Sequence, residues 1–169
     1  MSVESAMKII GFNLRRDRQK DDYYATPPEA VDALLSVEGF WGNIFEPCCG
    51  EGHISKRLIE HGYSVESSDL VDRGYGTSKR DFLFELEKRD NIITNPPYAK
   101  MALLMAEHSQ KIARYKTAFL LKITFLEGVA RAKFFKNHPP KRIWVFSKRM
   151  SLLKDGQSYK GGMMCLAWF

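Results

Sequence analysis

Asn95-Pro-Pro-Tyr98 follows directly on the apolar run Asn91-Ile-Ile-Thr94, so a segment that reads as a buried strand leaves its sheet through the stiffest residues a chain can use. Pro96 confines Asn95 to extended geometry, and the rings of Pro96 and Pro97 hold φ at about −65°. The Asn95 side-chain oxygen and the Pro96 carbonyl oxygen become two fixed hydrogen-bond acceptors, with the aromatic face of Tyr98 beside them. Such a set suits a planar substrate that carries an amino group. Three further clusters point to a nucleoside nearby. In Glu46-Pro47-Cys48-Cys49-Gly50-Glu51-Gly52, Gly50 and Gly52 let the backbone approach a ligand at the start of a helix. Asp69-Leu70, about 20 residues on, ends a second strand with an acid placed to accept from ribose hydroxyls. Asp81-Phe82 offers a carboxylate for an adenine amino group and a ring to stack on it. No Gly-x-Gly-x-x-Gly and no Walker lysine occurs, so the nucleoside is not expected to be part of a dinucleotide.

These side chains need a scaffold, and the hydrophobic periodicity supplies one by alternating between strand and helix. Thr26-Pro27-Pro28-Glu29 predicts a helix start, with Thr26 as N-cap and Glu29 closing a capping box. Ala30, Val31, Leu34 and Leu35 form its apolar face. Strands are expected at Asn43–Glu46, Tyr63–Leu70, Asp90–Thr94 and Thr117–Ile123, and helices at Glu51–His61 and Met101–Ala113. Thr124-Phe-Leu-Glu127 reads as a second capping box before a helix to about Lys136. Arg142–Phe146 and Met163–Phe169 read as a closing pair of strands with no helix between them. The alternation predicts a three-layer α/β/α sandwich whose mostly parallel sheet carries an antiparallel strand near one edge. Ligands in such sheets bind at the carboxyl ends of the strands, where the clusters above fall.

The chain has 169 residues, 44% of them hydrophobic, which suits one core. Residues 23–169 are expected to form a single domain behind a basic, flexible leader, 1–22, which contains Arg15-Arg16-Asp17-Arg18-Gln19-Lys20. No apolar run reaches membrane-spanning or signal-peptide length, so a cytoplasmic protein is expected. The three cysteines lack metal-ligand spacing and read as reduced structural thiols. Of the net charge of +6, the stretch 131–160 holds nine Lys or Arg against one acid, Asp155, leaving the rest of the chain slightly acidic. A polyanion is the natural partner for such a stretch.

Taken in order, these motifs resemble those of the S-adenosylmethionine-dependent amino-methyltransferases of the Asn/Asp-Pro-Pro-Tyr/Phe/Trp type, above all N6-adenine DNA methyltransferases, small phage-borne ones among them. The similarity runs from Tyr24 to Phe169. It implies a Rossmann-like methyltransferase fold, S-adenosylmethionine as cofactor and adenine in DNA as acceptor. It further implies that Tyr24, Thr26 and Pro27 contact the methionine end of the cofactor, that Glu46, Pro47, Cys48, Gly50 and Gly52 form its glycine motif, and that Asp69, Leu70, Asp81 and Phe82 hold ribose and adenine. Asn95, Pro96, Pro97 and Tyr98 would then be the catalytic loop, with Tyr98 stacking on a base turned out of the duplex. Lys141, Arg142, Lys148 and Arg149 are candidate phosphate contacts, and Phe125 a candidate wall of the target pocket. Where many relatives carry a second aromatic, this chain has Met150-Ser-Leu-Leu153.

The same loop serves RNA adenine or guanine methyltransferases and protein-glutamine methyltransferases, and a non-catalytic binding module would keep the same fold. The basic stretch argues against a protein acceptor. Little of the chain is left to read base pairs in the major groove. Loose sequence preference is therefore expected, with tight specificity coming from a C-terminal part beyond Phe169 or a separate subunit.

Overall fold

The computed structural model describes residues 24–98, 100–148, 150 and 165–169, and the backbone of two short strands, Leu153–Lys154 and Gln157–Ser158. The leader and Arg149 lie outside the described residues.

Strand β1 (Ile44–Glu46) opens a six-stranded sheet. It is joined in chain order by β2 (Val65–Ser67), β3 (Arg89–Thr94), β4 (Ala113–Lys122), β5 (Trp144–Val145) and, after the two-stranded hairpin β6–β7 (Leu153–Lys154, Gln157–Ser158), β8 (Leu166–Trp168). The order across the sheet is β2-β1-β3-β4-β8-β5. The first four strands are parallel, and β8 runs antiparallel to both β4 and β5. The expected antiparallel strand is thus next to the edge. Helices α1 (Pro28–Leu35) and α2 (His53–Glu60) contribute to one core cluster, and α3 (Lys100–Ile112) and α4 (Val129–Asn137) to another.

Side-chain alternation explains the three layers. Ile44, Ile93, Ala118 and Leu120 join Val31, Leu34 and Leu58 in the first cluster. Their strand neighbours Phe45, Ile92, Phe119 and Leu121 join Met105, Ala106 and Phe134 in the second. Both faces of the sheet are apolar, so the central strands read as continuous hydrophobic runs. Trp168, 1% exposed, locks β8 to α1 by donating its indole N–H to the Ala30 carbonyl at 2.8 Å. Removing that ring would cost about 3–5 kcal/mol of packing.

Neither capping box forms. Thr26 does not cap α1, which starts from Pro27 without a side-chain cap. Thr124 lies inside a 3-10 helix, Ile123–Leu126, and α4 starts later from Gly128 at φ 100°. The left-handed glycine turns the chain where the capping box was expected. In the loop between β2 and Asp81, one parallel bridge joins Ser68 to Thr77. Strand β4 begins four residues earlier than expected, and its first half extends past the end of β8. There a second cavity of about 320 Å³ opens, lined by Phe125, Phe134, Lys141, Arg142, Trp144 and Phe169 among others. Among the described residues no helix is long and apolar enough to cross a membrane.

Candidate active site

The carboxyl ends of β1, β2 and β3 converge on a cavity of about 400 Å³. Of the residues expected to meet a cofactor or do chemistry, Tyr24, Thr26, Glu46, Pro47, Cys48, Asp69, Leu70, Asp81, Phe82 and the whole Asn95–Tyr98 loop line it. Pro27, Gly50 and Gly52 do not. Gly52, at φ 82°, keeps clear the space that the Tyr75 ring fills, since a Cβ there would lie 2.5 Å from that ring. Gly50 donates its N–H to the Asp69 carboxylate at 2.8 Å. The glycines shape the turn and hold an acid in place, and the cavity wall comes from their neighbours.

Asp69 is the best anchored of the acids. One oxygen accepts from Gly50 N, and the other accepts from Val71 N at 2.9 Å. Each carboxylate oxygen keeps a lone pair for a further donor. Asp81 uses one oxygen to cap the short 3-10 helix Phe82–Phe84 through Leu83 N. Phe82 is only 4% exposed and packs against Phe45 and edge-on against His108. Its ring is mainly core, and the cavity meets its margin.

Glu46, at the end of β1, is 1% exposed. Ser55 donates a hydroxyl to it, and Ser55 in turn meets Ser67 at 2.6 Å. Burial outweighs that hydrogen bond and pushes the Glu46 carboxyl up to about 8, because an ion is costly to bury without a counter-charge. Burial also raises both neighbouring thiols, Cys49 to about 12. Neither is a thiolate nucleophile at neutral pH.

Asn95 carries the most informative geometry. Its side-chain NH₂ donates to the Tyr24 carbonyl at 3.2 Å and to Thr26 Oγ1 at 3.1 Å. A backbone carbonyl can only accept, so this pairing fixes which end of the amide is nitrogen. Among the described residues nothing donates to Oδ1. Thr26, expected as a helix cap, spends its hydroxyl on this amide instead. Tyr98 is half-buried, with Tyr24 at 6.0 Å and a 42° tilt and the Lys122 ammonium 4.5 Å from its ring centroid.

The expected nucleic-acid residues divide. Phe125 is 5% exposed and packs edge-on against Phe135 and Phe169 in the second core cluster. It lines the second cavity, away from Asn95, because the residues after β4 turn inward as a 3-10 helix. Lys141 and Arg142 precede β5, which runs parallel to β4, so they lie at the opposite edge of the sheet from Asn95. Arg142 is also engaged by Glu38. Lys148 follows β5 and is exposed toward the edge that holds the site.

Met101, Met105, Arg73 and Arg80 line the first cavity without having been singled out from the sequence. The i, i+4 spacing of the two methionines, just after the Asn-Pro-Pro-Tyr loop, was the available signal. The arginines come from the loop that follows Asp69, whose path no periodicity marks.

Solved structures share this architecture. A protein described as a candidate RNA methyltransferase from Pyrococcus horikoshii superposes with a TM-score of 0.65 at 14% identity, covering 99% of this chain and 96% of that one. The magnesium protoporphyrin IX methyltransferase of Synechocystis PCC 6803, solved with bound S-adenosylmethionine, gives 0.57 at 16% identity, covering 98% and 88%. The fold is that of the S-adenosylmethionine-dependent methyltransferases. At such identities the likeness speaks for the fold and leaves the acceptor to the site. No protein-family model matches the sequence, and no curated protein matches it.

Proposed function

We propose that this chain transfers a methyl group from S-adenosylmethionine to the exocyclic N6 amino group of adenine in DNA. The observation that carries the reading is the Asn95 amide, whose NH₂ is spent on Tyr24 and Thr26 so that its oxygen is the end left for substrate. An adenine amino nitrogen is a poor nucleophile because its lone pair is delocalised into the ring. If Asn95 Oδ1 and the Pro96 carbonyl each accept one of its N–H groups, the nitrogen is drawn toward tetrahedral geometry and the lone pair is aimed. Tyr98 gives the extruded base an aromatic surface.

The cavity suits the cofactor. Asp69 and Asp81 present carboxylates to hydroxyl and amino donors, and Glu46 is a buried acid with no cationic partner among the described residues, so a positively charged ligand would complete it. When bound, S-adenosylmethionine supplies an electrophilic methyl group. Lys148, at the same edge as Asn95, and the basic stretch around it support a polyanionic acceptor.

The test is to incubate the protein with labelled S-adenosylmethionine and separate pools of DNA, RNA and protein. Label is expected in N6-methyladenine of the DNA. Label confined to RNA would move the acceptor while keeping the chemistry, and label confined to glutamine in protein would overturn the nucleic-acid reading. A protein that neither binds the cofactor nor transfers label would remove the enzyme altogether.

A further inference from the structure

Lys122 is the last residue of β4 and ends a run in which Leu120 and Leu121 are fully buried. β4 pairs with β3 up to Phe119 beside Thr94. Lys122 therefore stands on the same edge of the sheet as the Asn95–Tyr98 loop, and its ammonium lies 4.5 Å from the centre of the Tyr98 ring. An ammonium over a phenol ring is held by the quadrupole of that ring. A nucleobase stacking on the same face would displace it.

The charges nearby say where it would go. The cavity beside Tyr98 is lined by the carboxylates Asp69 and Asp81 as well as by Arg73 and Arg80, with Arg80 held by Glu66 and Glu85, and Lys122 is a cation that stands against the Tyr98 ring itself. A nucleotide turned out of a duplex brings a phosphate on each side of its sugar, and a lysine is a compact charge with rotatable donors on a flexible stem. We propose that Lys122 is a substrate-recognition residue, holding the Tyr98 ring before the nucleotide arrives and taking a phosphate of the nucleotide whose base then stacks there. The inference rests on the adenine methyltransferase reading and adds the means by which the site prefers a polyanion over an uncharged planar amide.

Full-length protein carrying Lys122→Met keeps an unbranched apolar stem beside the ring and removes the charge, whereas Lys122→Arg keeps the charge. Methyl transfer to an adenine-containing duplex is measured over a salt series, with duplex binding and calorimetry of S-adenosylmethionine alongside. Lys122→Met should raise KM for duplex about tenfold at low salt with kcat nearly unchanged, and flatten the log–log salt slope by about 0.9, the loss of one phosphate contact. Cofactor affinity should stay as in the wild type, and Lys122→Arg should restore KM. An active wild type whose Lys122→Met variant keeps both KM and slope overturns the inference. So does a variant that loses kcat alone and is not rescued by arginine, since that reports ring packing only. A wild type that binds cofactor yet never methylates duplex overturns the underlying reading, and shows it without any variant.

Discussion

Glu46 and Glu38 lie at opposite ends of the sheet, and their surroundings push them in opposite directions. Glu38 meets Arg142, Lys116 and the Trp144 indole, and these hold its carboxyl down at about 2. Glu46 meets a serine hydroxyl, and burial, with the Asp69 carboxylate adding to it, holds its own carboxyl up at about 8. The two ends of β3 repeat the contrast with asparagines. Asn91 is buried and donates to the Trp41 and Asn43 carbonyls, whereas Asn95 donates to Tyr24 and Thr26 and keeps its oxygen toward a cavity. At the amino end, the Glu38 carboxylate and the Asn91 amide nitrogen are answered from within the fold and secure it, while the buried Asn91 Oδ1 meets no donor among the described residues. At the carboxyl end polar groups are left with bonding capacity, which is what a ligand site requires. Changes at one end should therefore cost stability, and changes at the other should cost function.

The largest effect should come from the two asparagines. Asn95→Ala should lower methyl transfer by roughly 10²–10³-fold per folded molecule while leaving S-adenosylmethionine affinity close to wild type. Asn91→Ala should do the reverse, losing about 1–3 kcal/mol of stability because two carbonyls lose their donor, with turnover per folded molecule retained. Labelled methyl transfer and urea denaturation read both. An active Asn95→Ala enzyme would sink the mechanism proposed here.

The paired acids come next. Asp69→Ala should weaken S-adenosylmethionine by about 1.5–3 kcal/mol, the range for a hydrogen bond to a charged group. Asp90 holds Asn43 N and Arg114 at the amino end, and Asp90→Ala should leave that affinity unchanged. Calorimetry on both variants is decisive, since equal losses would mean that Asp69 acts only as scaffold for Gly50 and Val71.

What the sequence disclosed follows the same division. Site residues at strand ends were legible because Pro, Gly and acid residues interrupt apolar runs there, and the layered fold was legible from the alternation of strand and helix. Contacts between distant segments were not. Thr26 reads locally as a helix cap, and only the fold brings it to Asn95, 69 residues away. Phe125 reads as a rim aromatic because it follows a strand, yet a 3-10 turn carries it into the core. Arg142 counts toward a basic stretch until Glu38, 104 residues away, is seen to engage it.

The pH dependence of folding should separate the two glutamates by the sign of its slope. Glu46 has a folded value of about 8 against an ordinary 4.5, so the folded chain keeps a proton that the unfolded chain releases. Its contribution is whole below pH 4.5 and fades as pH rises to 8. Glu38, at about 2 against 4.5, contributes above pH 4.5 and loses that contribution as pH falls toward 2. Glu46→Gln should flatten the alkaline limb of stability against pH, and Glu38→Gln the acid limb. Urea titrations from pH 3 to pH 9 test this, and an unchanged alkaline limb in Glu46→Gln would mean that its carboxyl ionises in place.

The smallest effect concerns the cations, and it tests whether position or mere charge recruits nucleic acid. Lys148 and Arg142 belong to the same basic stretch but stand at opposite edges of the sheet, and among the described residues only Arg142 of the two is occupied by a carboxylate. If charge alone mattered, removing either would reduce DNA binding equally. If the site edge matters, Lys148→Ala should flatten the log–log salt slope of duplex binding by about 0.9, one phosphate's worth. Arg142→Ala should leave the slope unchanged, because it frees Glu38 of a partner without withdrawing a cation from the nucleic acid. Binding isotherms across a salt series, with both variants confirmed as folded, give the answer. Equal flattening by the two would break the contrast between the edges and return the basic stretch to a diffuse attraction.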